Sequence, residues 1–317
     1  MGIDNGRTQS EQQTRAQWEQ VVPGKRFLIC GGGGQVGAAL GRLTPPPGVQ
    51  FCNFSHNEFD ISNKEKVSEI FSLVSPSLVI NAAAFTGVDG AENNPDLAYL
   101  ANKDGPARLA EACAKANIPL LHISTDFVFD GKKTMPYSEN DPVSPLSVYG
   151  ESKADGESAV RETHTQHIIL RTAWVFGKNG SPFINAIIKK ARQGDDLRVV
   201  GDQIGGPTSA DDIARSLITI AKAAVAEPVH WGTYHFSGEP DVSRYELALM
   251  IVSELFPGND NRPNVEQISS SDYPTKAERP ANVQLDCSKI LEDFGIERPK
   301  WSHALKQAVA NFESEAE

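Results

Sequence analysis

Along this chain, short apolar runs alternate with helical stripes of hydrophobic residues, and clusters rich in Gly, Pro, Ser and Asn separate them. Residues 26–30 and 49–54 read as strands. In 64–74, Val67, Ile70, Phe71 and Val74 fall at i, i+3, i+4 and i+7, the spacing of one helix face. A third strand over 78–80 runs into Asn81-Ala82-Ala83-Ala84 as its exit loop. One long helix is predicted over 95–116 through Leu97, Leu100, Leu109 and Cys113. A fourth strand follows at 119–124, then a helix, then a fifth strand at 167–171. Such alternation requires right-handed crossovers and a parallel sheet covered by helices on both faces. The fold class expected is therefore α/β, a doubly wound parallel sheet of the Rossmann type.

Beyond Arg171 the pattern loosens. Helices are predicted near 183–191 and 211–224, with a short strand at 197–200 between them. A last helix carries Trp301, Leu305, Ala308, Val309 and Phe312 on one face. These elements suit a smaller lobe over the sheet's carboxyl edge, where open α/β sheets bind ligands. The organisation expected is a flexible extension over 1–24 and a dinucleotide-binding unit over 25–172, to which the chain returns around 197–228. A mainly C-terminal substrate-binding lobe would take 173–196 and 229–317.

A net charge of −11 repels nucleic acid and acidic membrane surfaces, so neither is expected as a partner. No apolar run approaches the ~20 residues a membrane span needs. The polar first residues, with a short helix around Trp18, lack the apolar core of a signal peptide. Cys30, Cys52, Cys113 and Cys287 form no C-x-x-C pair, so buried free thiols in a reducing cytoplasm are expected. His164 and His167 lack further ligands at metal spacing, and no metal site is expected.

The chemistry starts at Gly31-Gly32-Gly33-Gly34-Gln35-Val36-Gly37, which follows the first strand and opens a helix. Glycines let a backbone turn tightly against a pyrophosphate, and the helix aims N–H groups and its positive end at the phosphates. Alone, such a run could be a flexible turn; Ala38 after Gly37 excludes a Walker A loop. No carboxylate stands at the end of the second strand, where one would bond a ribose 2′-OH. Ser55 and His56 there suit a 2′-phosphate, so NADPH is expected, with NADH left open.

Tyr149 and Lys153 are four apart, on one face of a helix. A carbonyl reductase must protonate the alkoxide formed as hydride arrives, and a tyrosine with lowered pKa can do so. A neighbouring ammonium is expected to lower it and to fix the nicotinamide ribose. The alternative is an ordinary surface pair. Against it, Ser124-Thr125-Asp126 closes the fourth strand earlier in the chain, placing the Thr125 hydroxyl where it can bond a substrate carbonyl. Phosphate turn, strand-end hydroxyl and Tyr–Lys helix occur in the order such a site needs.

These residues resemble the extended short-chain dehydrogenase/reductase superfamily and, within it, the dTDP-4-dehydrorhamnose reductase family. The similarity runs from about Lys25 to Phe312 through the glycine turn, Asn81–Ala84, Val88-Asp89, Ser124–Gly131, Tyr149–Lys153, Arg171–Gly177, Asp202–Thr208 and Arg279–Asp286. It implies NADPH-dependent reduction of the C4 ketone of a deoxysugar nucleotide, most closely dTDP-4-dehydro-L-rhamnose. It implies Thr125, Tyr149 and Lys153 as the catalytic trio. The cofactor would lie against Gly31, Gly34, Gln35, Val36, Ser55, His56, Asp60, Ile61, Ala82, Ala83, Ala84 and Asn102, together with Tyr149 and Lys153. Thr125, Asp126, Trp174 and Arg279 would meet the sugar nucleotide, with the Arg279 guanidinium suited to its pyrophosphate.

Phe127 stands where related 4,6-dehydratases carry glutamate, which points to reduction. Departures from the family pattern are Phe85, Phe127, Phe176 and Val283, where polar residues are usual. Ala38-Ala39 replaces the glutamate by which some members hold magnesium at a dimer interface, so a homodimer stays open. The other function class is a non-catalytic NADP-binding subunit, since the methionine adenosyltransferase β subunit resembles the same family.

Overall fold

A computed structural model describes residues 24–314, apart from 179, 227–228 and 259–261. The predicted extension and the helix around Trp18 lie outside the described residues. The first half runs β1 (Lys25–Cys30), α1 (Gln35–Arg42), β2 (Val49–Phe54), α2 (Lys64–Val74), β3 (Leu78–Asn81), α3 (Val88–Asn93), α4 (Pro95–Tyr99), α5 (Gly105–Ala116), β4 (Leu120–Thr125), α6 (Val148–Thr163) and β5 (His167–Thr172). The second half runs β6 (Val175–Phe176), α7 (Pro182–Arg192), β7 (Leu197–Val200), β8 (Ile204–Gly205), β9 (Thr208–Ser209), α8 (Ala210–Ala226), β10 (Gly232–His235), β11 (Val242–Ser243), α9 (Arg244–Leu255), β12 (Val265–Ile268), α10 (Ser288–Phe294) and α11 (Ser302–Ser314).

The central sheet has the order β10-β5-β4-β3-β1-β2, and every neighbouring pair is parallel. Helices bury both faces, which is why the strands read as apolar runs. On β1, Phe27 and Ile29 pack with Leu40 of α1 and Ile213 and Leu217 of α8. Leu28 and Cys30 point the other way, onto Val67 and Ile70 of α2 and Leu109 and Cys113 of α5. The chain leaves β1 for β2 on one side and then crosses to β3 on the other. That reversal opens a crevice at the carboxyl ends of β1 and β3.

The stretch 95–116 is helical throughout, as expected, but not uniformly α-helical. Between α4 and α5, residues Leu100–Asp104 form a π-turn, a feature that re-aims side chains within a helix. Gly156 of α6 lies against it so closely that a Cβ there would stand 2.0 Å from the Asn102 carbonyl oxygen. Of the return expected around 197–228, α8 does pack on β1, but the strand within it does not join the central sheet. Leu197–Val200 pairs with Val265–Ile268 in a separate two-stranded sheet. The strand that does join the central sheet is Gly232–His235, beside β5. A second core of α7, α9 and α11, including Ile188, Ile251 and the buried Trp301, forms the smaller lobe. Trp174 packs against both cores. All four cysteines are free and buried.

Candidate active site

The glycine turn contains two kinds of glycine. Gly31 has φ +85°, and a Cβ on it would stand 2.6 Å from the Ala83 backbone nitrogen. Gly37 is equally constrained, because its Cβ would lie 2.1 Å from the Gly31 carbonyl oxygen. Gly33 and Gly34 have room, the nearest atoms to their added Cβ being 3.7 and 3.4 Å away. So the first pair seats β1, β3 and α1 together, and the second pair leaves a bare backbone cradle. No side chain caps the first turn of α1, so its N–H groups remain for an anion. This cradle fits a dinucleotide's pyrophosphate. Val36 is buried beside it, while Gln35 donates to the Gly180 carbonyl at 3.1 Å.

At the end of β2 the structure changes one expectation. The Ser55 amide and hydroxyl both donate to a Glu58 carboxylate oxygen, at 2.8 and 2.6 Å. Ser55 is thus engaged by an anion that the strand pattern gave no reason to place there, and His56 is exposed. Asp60 accepts from the Ser62 amide and hydroxyl, and Ile61 is buried against Gly105. The exit loop of β3, Ala82–Ala84, lies opposite the glycine turn. It is held there by Asn102, which accepts from the Phe85 amide at 2.8 Å and donates to the Phe85 carbonyl and the Ser152 hydroxyl, both at 3.0 Å. Asn102 therefore secures the loop wall with its side chain.

The catalytic candidates converge at the carboxyl end of β4. Thr125 donates to Asp126 Oδ1 at 2.8 Å and accepts from the Phe127 amide at 3.2 Å, closing the strand in a short 3-10 turn. Ser147 caps α6 by accepting from the Gly150 amide, which places Tyr149 in the helix's first turn. Tyr149 is buried edge-on to Phe127, with ring centroids 5.5 Å apart. One turn on, Lys153 Nζ donates to the Ile123 carbonyl at 2.7 Å and lies 3.4 Å from His122 Nε2. His122 Nδ1 meets the Asn81 amide group at 3.0 Å.

The electrostatics differ from the expectation for Tyr149. Burial pushes its phenol up to about 12, opposed by the Thr125 hydroxyl, and Lys153 does not lower it. The ammonium is engaged by the Ile123 carbonyl and lies beside His122. Burial pushes Lys153 down to about 8, with Glu157 opposing. At neutral pH Tyr149 holds its proton and Lys153 is mostly charged, the state a proton donor to an alkoxide needs.

At the other end of the crevice, Asp126 is buried, and its Oδ2 has no hydrogen-bond partner among the described residues. Burial pushes this carboxyl up to about 6. Trp174 has φ +45°, a strained value for a bulky side chain, held where the two cores meet. Arg279 does not present a free guanidinium. It grips Asp89 at 3.2 and 2.6 Å, and that contact holds Asp89 below the usual carboxylate range.

The structure thus gathers Gly31, Gly34, Val36, Ala82–Ala84, Thr125, Asp126, Tyr149 and Lys153 around one crevice. Three side chains escaped the sequence reading: Glu58, His122 and Arg244, the last lying 3.5 Å over the Trp174 ring. Only Arg244 carried a signal. It is a cation directly after Ser243, the cap of a helix, where the helix dipole disfavours positive charge.

A family model described as the RmlD substrate binding domain matches residues 25–314. The dTDP-4-dehydrorhamnose reductase of Aggregatibacter actinomycetemcomitans is 46% identical over 289 residues, covering 90% of this chain and 98% of that protein. The Escherichia coli K12 enzyme of the same name is 34% identical, covering 89% and 96%. A solved dTDP-4-dehydrorhamnose reductase from Clostridium acetobutylicum superposes with a TM-score of 0.83 at 33% identity, covering 91% of this chain and 99% of that one. The Bacillus anthracis enzyme, solved in complex with NADP, gives 0.82 at 31% identity with the same coverage. The chain belongs to the RmlD substrate-binding-domain family, that of the dTDP-4-dehydrorhamnose reductases.

Proposed function

We propose that this protein reduces the C4 ketone of dTDP-4-dehydro-L-rhamnose to give dTDP-L-rhamnose, using NADPH. The observation that carries this reading is the meeting of Thr125, Tyr149 and Lys153 at the carboxyl end of β4, with Tyr149 holding its proton. The glycine turn, Ala82–Ala84 and the 55–61 segment would hold the dinucleotide, and when bound it supplies the hydride. The Thr125 hydroxyl, which donates to Asp126 here, would turn its proton to the carbonyl oxygen of a bound substrate and fix its orientation. Tyr149 gives its phenol proton to the developing alkoxide, and the phenolate then regains a proton from solvent. Lys153, anchored on Ile123 and His122, keeps a positive charge one helical turn away. Asp126 from the end of β4, and Trp174 with the Arg279 segment from the opposite side, would bound the sugar nucleotide.

Four unpaired thiols support a cytoplasmic setting. Leu97 and Leu100, 53% and 38% exposed on one face, support a homodimer, which sedimentation would read directly. The central test follows NADPH absorbance with dTDP-4-dehydro-L-rhamnose generated in situ. The wild type consumes NADPH, and Tyr149→Phe turns over about 10²–10⁴-fold more slowly with NADPH affinity nearly unchanged. Clear cofactor binding without oxidation would overturn the reductase reading in favour of a binding subunit. Equal turnover in the variant would overturn the role of Tyr149.

A further inference from the structure

The cations around the crevice are not equally available. Arg171 is engaged by Glu157, Arg279 by Asp89, and Lys153 by the Ile123 carbonyl. Lys276, near Arg279, donates to Asn93. Arg244 is different. Its backbone amide is anchored on the Gln203 carbonyl at 3.1 Å, but its guanidinium donates to no acceptor among the described residues. It lies half-buried, 3.5 Å over the Trp174 ring and 4.9 Å from the Phe183 ring.

Stacking on two aromatic rings accounts for the position of the guanidinium plane but leaves its five N–H donors unmet. A half-buried donor group without acceptors is costly. So is a cation at the first residue of α9, where the helix dipole is positive. The helix does not require it: Ser243 and Glu246 already form a complete capping box there. Across the crevice, Asp126 keeps a buried oxygen equally unmet. The two groups are close enough to influence each other, yet they form no ion pair. Within electrostatic reach of each other, one group is thus left to donate and the other to accept.

We infer that Arg244 is a substrate-positioning residue that binds the diphosphate of the sugar nucleotide, with Trp174 holding the guanidinium plane in place. This inference rests on the proposed function and adds to it the residue that meets the substrate's charge. A chain of net charge −11 needs a local cation to hold a diphosphate, and Arg244 has donors unengaged among the described residues. Its planar fork matches two phosphate oxygens at once.

The test is a binding titration of the full-length protein with dTDP and, separately, with thymidine. Arg244→Gln should weaken dTDP about 10- to 100-fold, the range of one lost charge-assisted hydrogen bond. Thymidine, lacking phosphates, should bind as before, so the preference for dTDP collapses. Arg244→Lys keeps the charge without the fork and should recover part of the loss. In steady state, the Gln variant should raise KM for the sugar nucleotide with kcat within about threefold and NADPH affinity unchanged. Lys306→Gln removes a distant surface charge and serves as control. An unchanged dTDP Kd in folded Arg244→Gln would overturn the inference, as would an equal loss for thymidine. The titration needs no turnover. Loss of dTDP affinity in a protein that reduces no keto-sugar would retain Arg244 and remove the reductase reading; turnover with an unchanged dTDP Kd would do the reverse.

Discussion

Glu157 and Arg171 meet through hydrogen bonds of 2.9 and 2.7 Å beneath the edge of the sheet, whereas Asp126 and Arg244, at the sugar end, form no ion pair. Both couples join a buried carboxylate to a guanidinium, and both guanidiniums lie over aromatic rings. The contact at Glu157 outweighs burial and holds its carboxyl below the usual carboxylate range. At Asp126 burial prevails and pushes the carboxyl up to about 6. The first couple has its charge requirements met within the chain, so it serves the scaffold that carries Lys153 and β5. The second is held apart at a cost, which a folded protein sustains where a ligand completes the set.

Removing one member should therefore have opposite consequences in the two couples. Glu157→Gln leaves Arg171 buried and under-compensated, and should cost about 3–5 kcal/mol in urea unfolding. A loss below ~1 kcal/mol would break the comparison. Asp126→Asn should be neutral or stabilising near pH 7, because the charged carboxylate is the disfavoured form. The pH dependence has a definite sign. The folded pKa of Asp126, about 6, lies above its ordinary value of 3.8, so its contribution to stability is present below pH 4 and lost as pH rises through 6. The difference amounts to about 3 kcal/mol, and the Asn variant should lack it. Glu157 runs the other way: its contribution is present above the ordinary carboxylate range and lost as pH falls through its lowered folded pKa. Unfolding curves of both variants at about pH 3 and 7.5 would separate the two, and matching pH profiles would refute the assignment.

The scaffold was more legible in the sequence than the sugar end. The strand periodicity, the glycine turn and the order Thr125, Tyr149, Lys153 are local signals, and backbone geometry follows from them directly. The π-turn at 100–104 went unread, although the phase of the apolar positions marks it. At 100° per residue, Leu97 and Leu100 fall far out of phase with Leu109 and Cys113, and the first two are exposed while the others are buried. Less legible was what each polar side chain meets across the chain. Arg279 could be read as a pyrophosphate ligand or as half of an ion pair, and it is held by Asp89, which lies far earlier in the chain. Arg244 was not singled out at all, and it stacks on Trp174 across the junction of the two cores. Periodicity tells which face is buried, but it carries no information about the partner of a polar group on that face.

Glu58 extends the comparison to the nucleotide end, with the smallest effect of the set. Its carboxylate is exposed and, among the described residues, accepts from the neutral amide and hydroxyl of Ser55 with no cation paired to it. Ser55 lies at the mouth of the glycine cradle, its Cβ 3.7 Å from where a Cβ on Gly33 would stand. A 2′-phosphate bound there would meet this carboxylate, while a plain 2′-hydroxyl could donate to it. Glu58→Gln should therefore lower KM for NADPH about two- to fivefold, the range of a solvent-screened charge interaction, and leave or raise KM for NADH. Because both charges face water, the gain should shrink as ionic strength rises from ~0.05 to ~0.5 M. An NADPH/NADH ratio that does not move in the variant would mean that Glu58 only shapes the turn after β2. A ratio that moves but ignores salt would place the effect in Ser55's freed hydroxyl rather than in the lost charge.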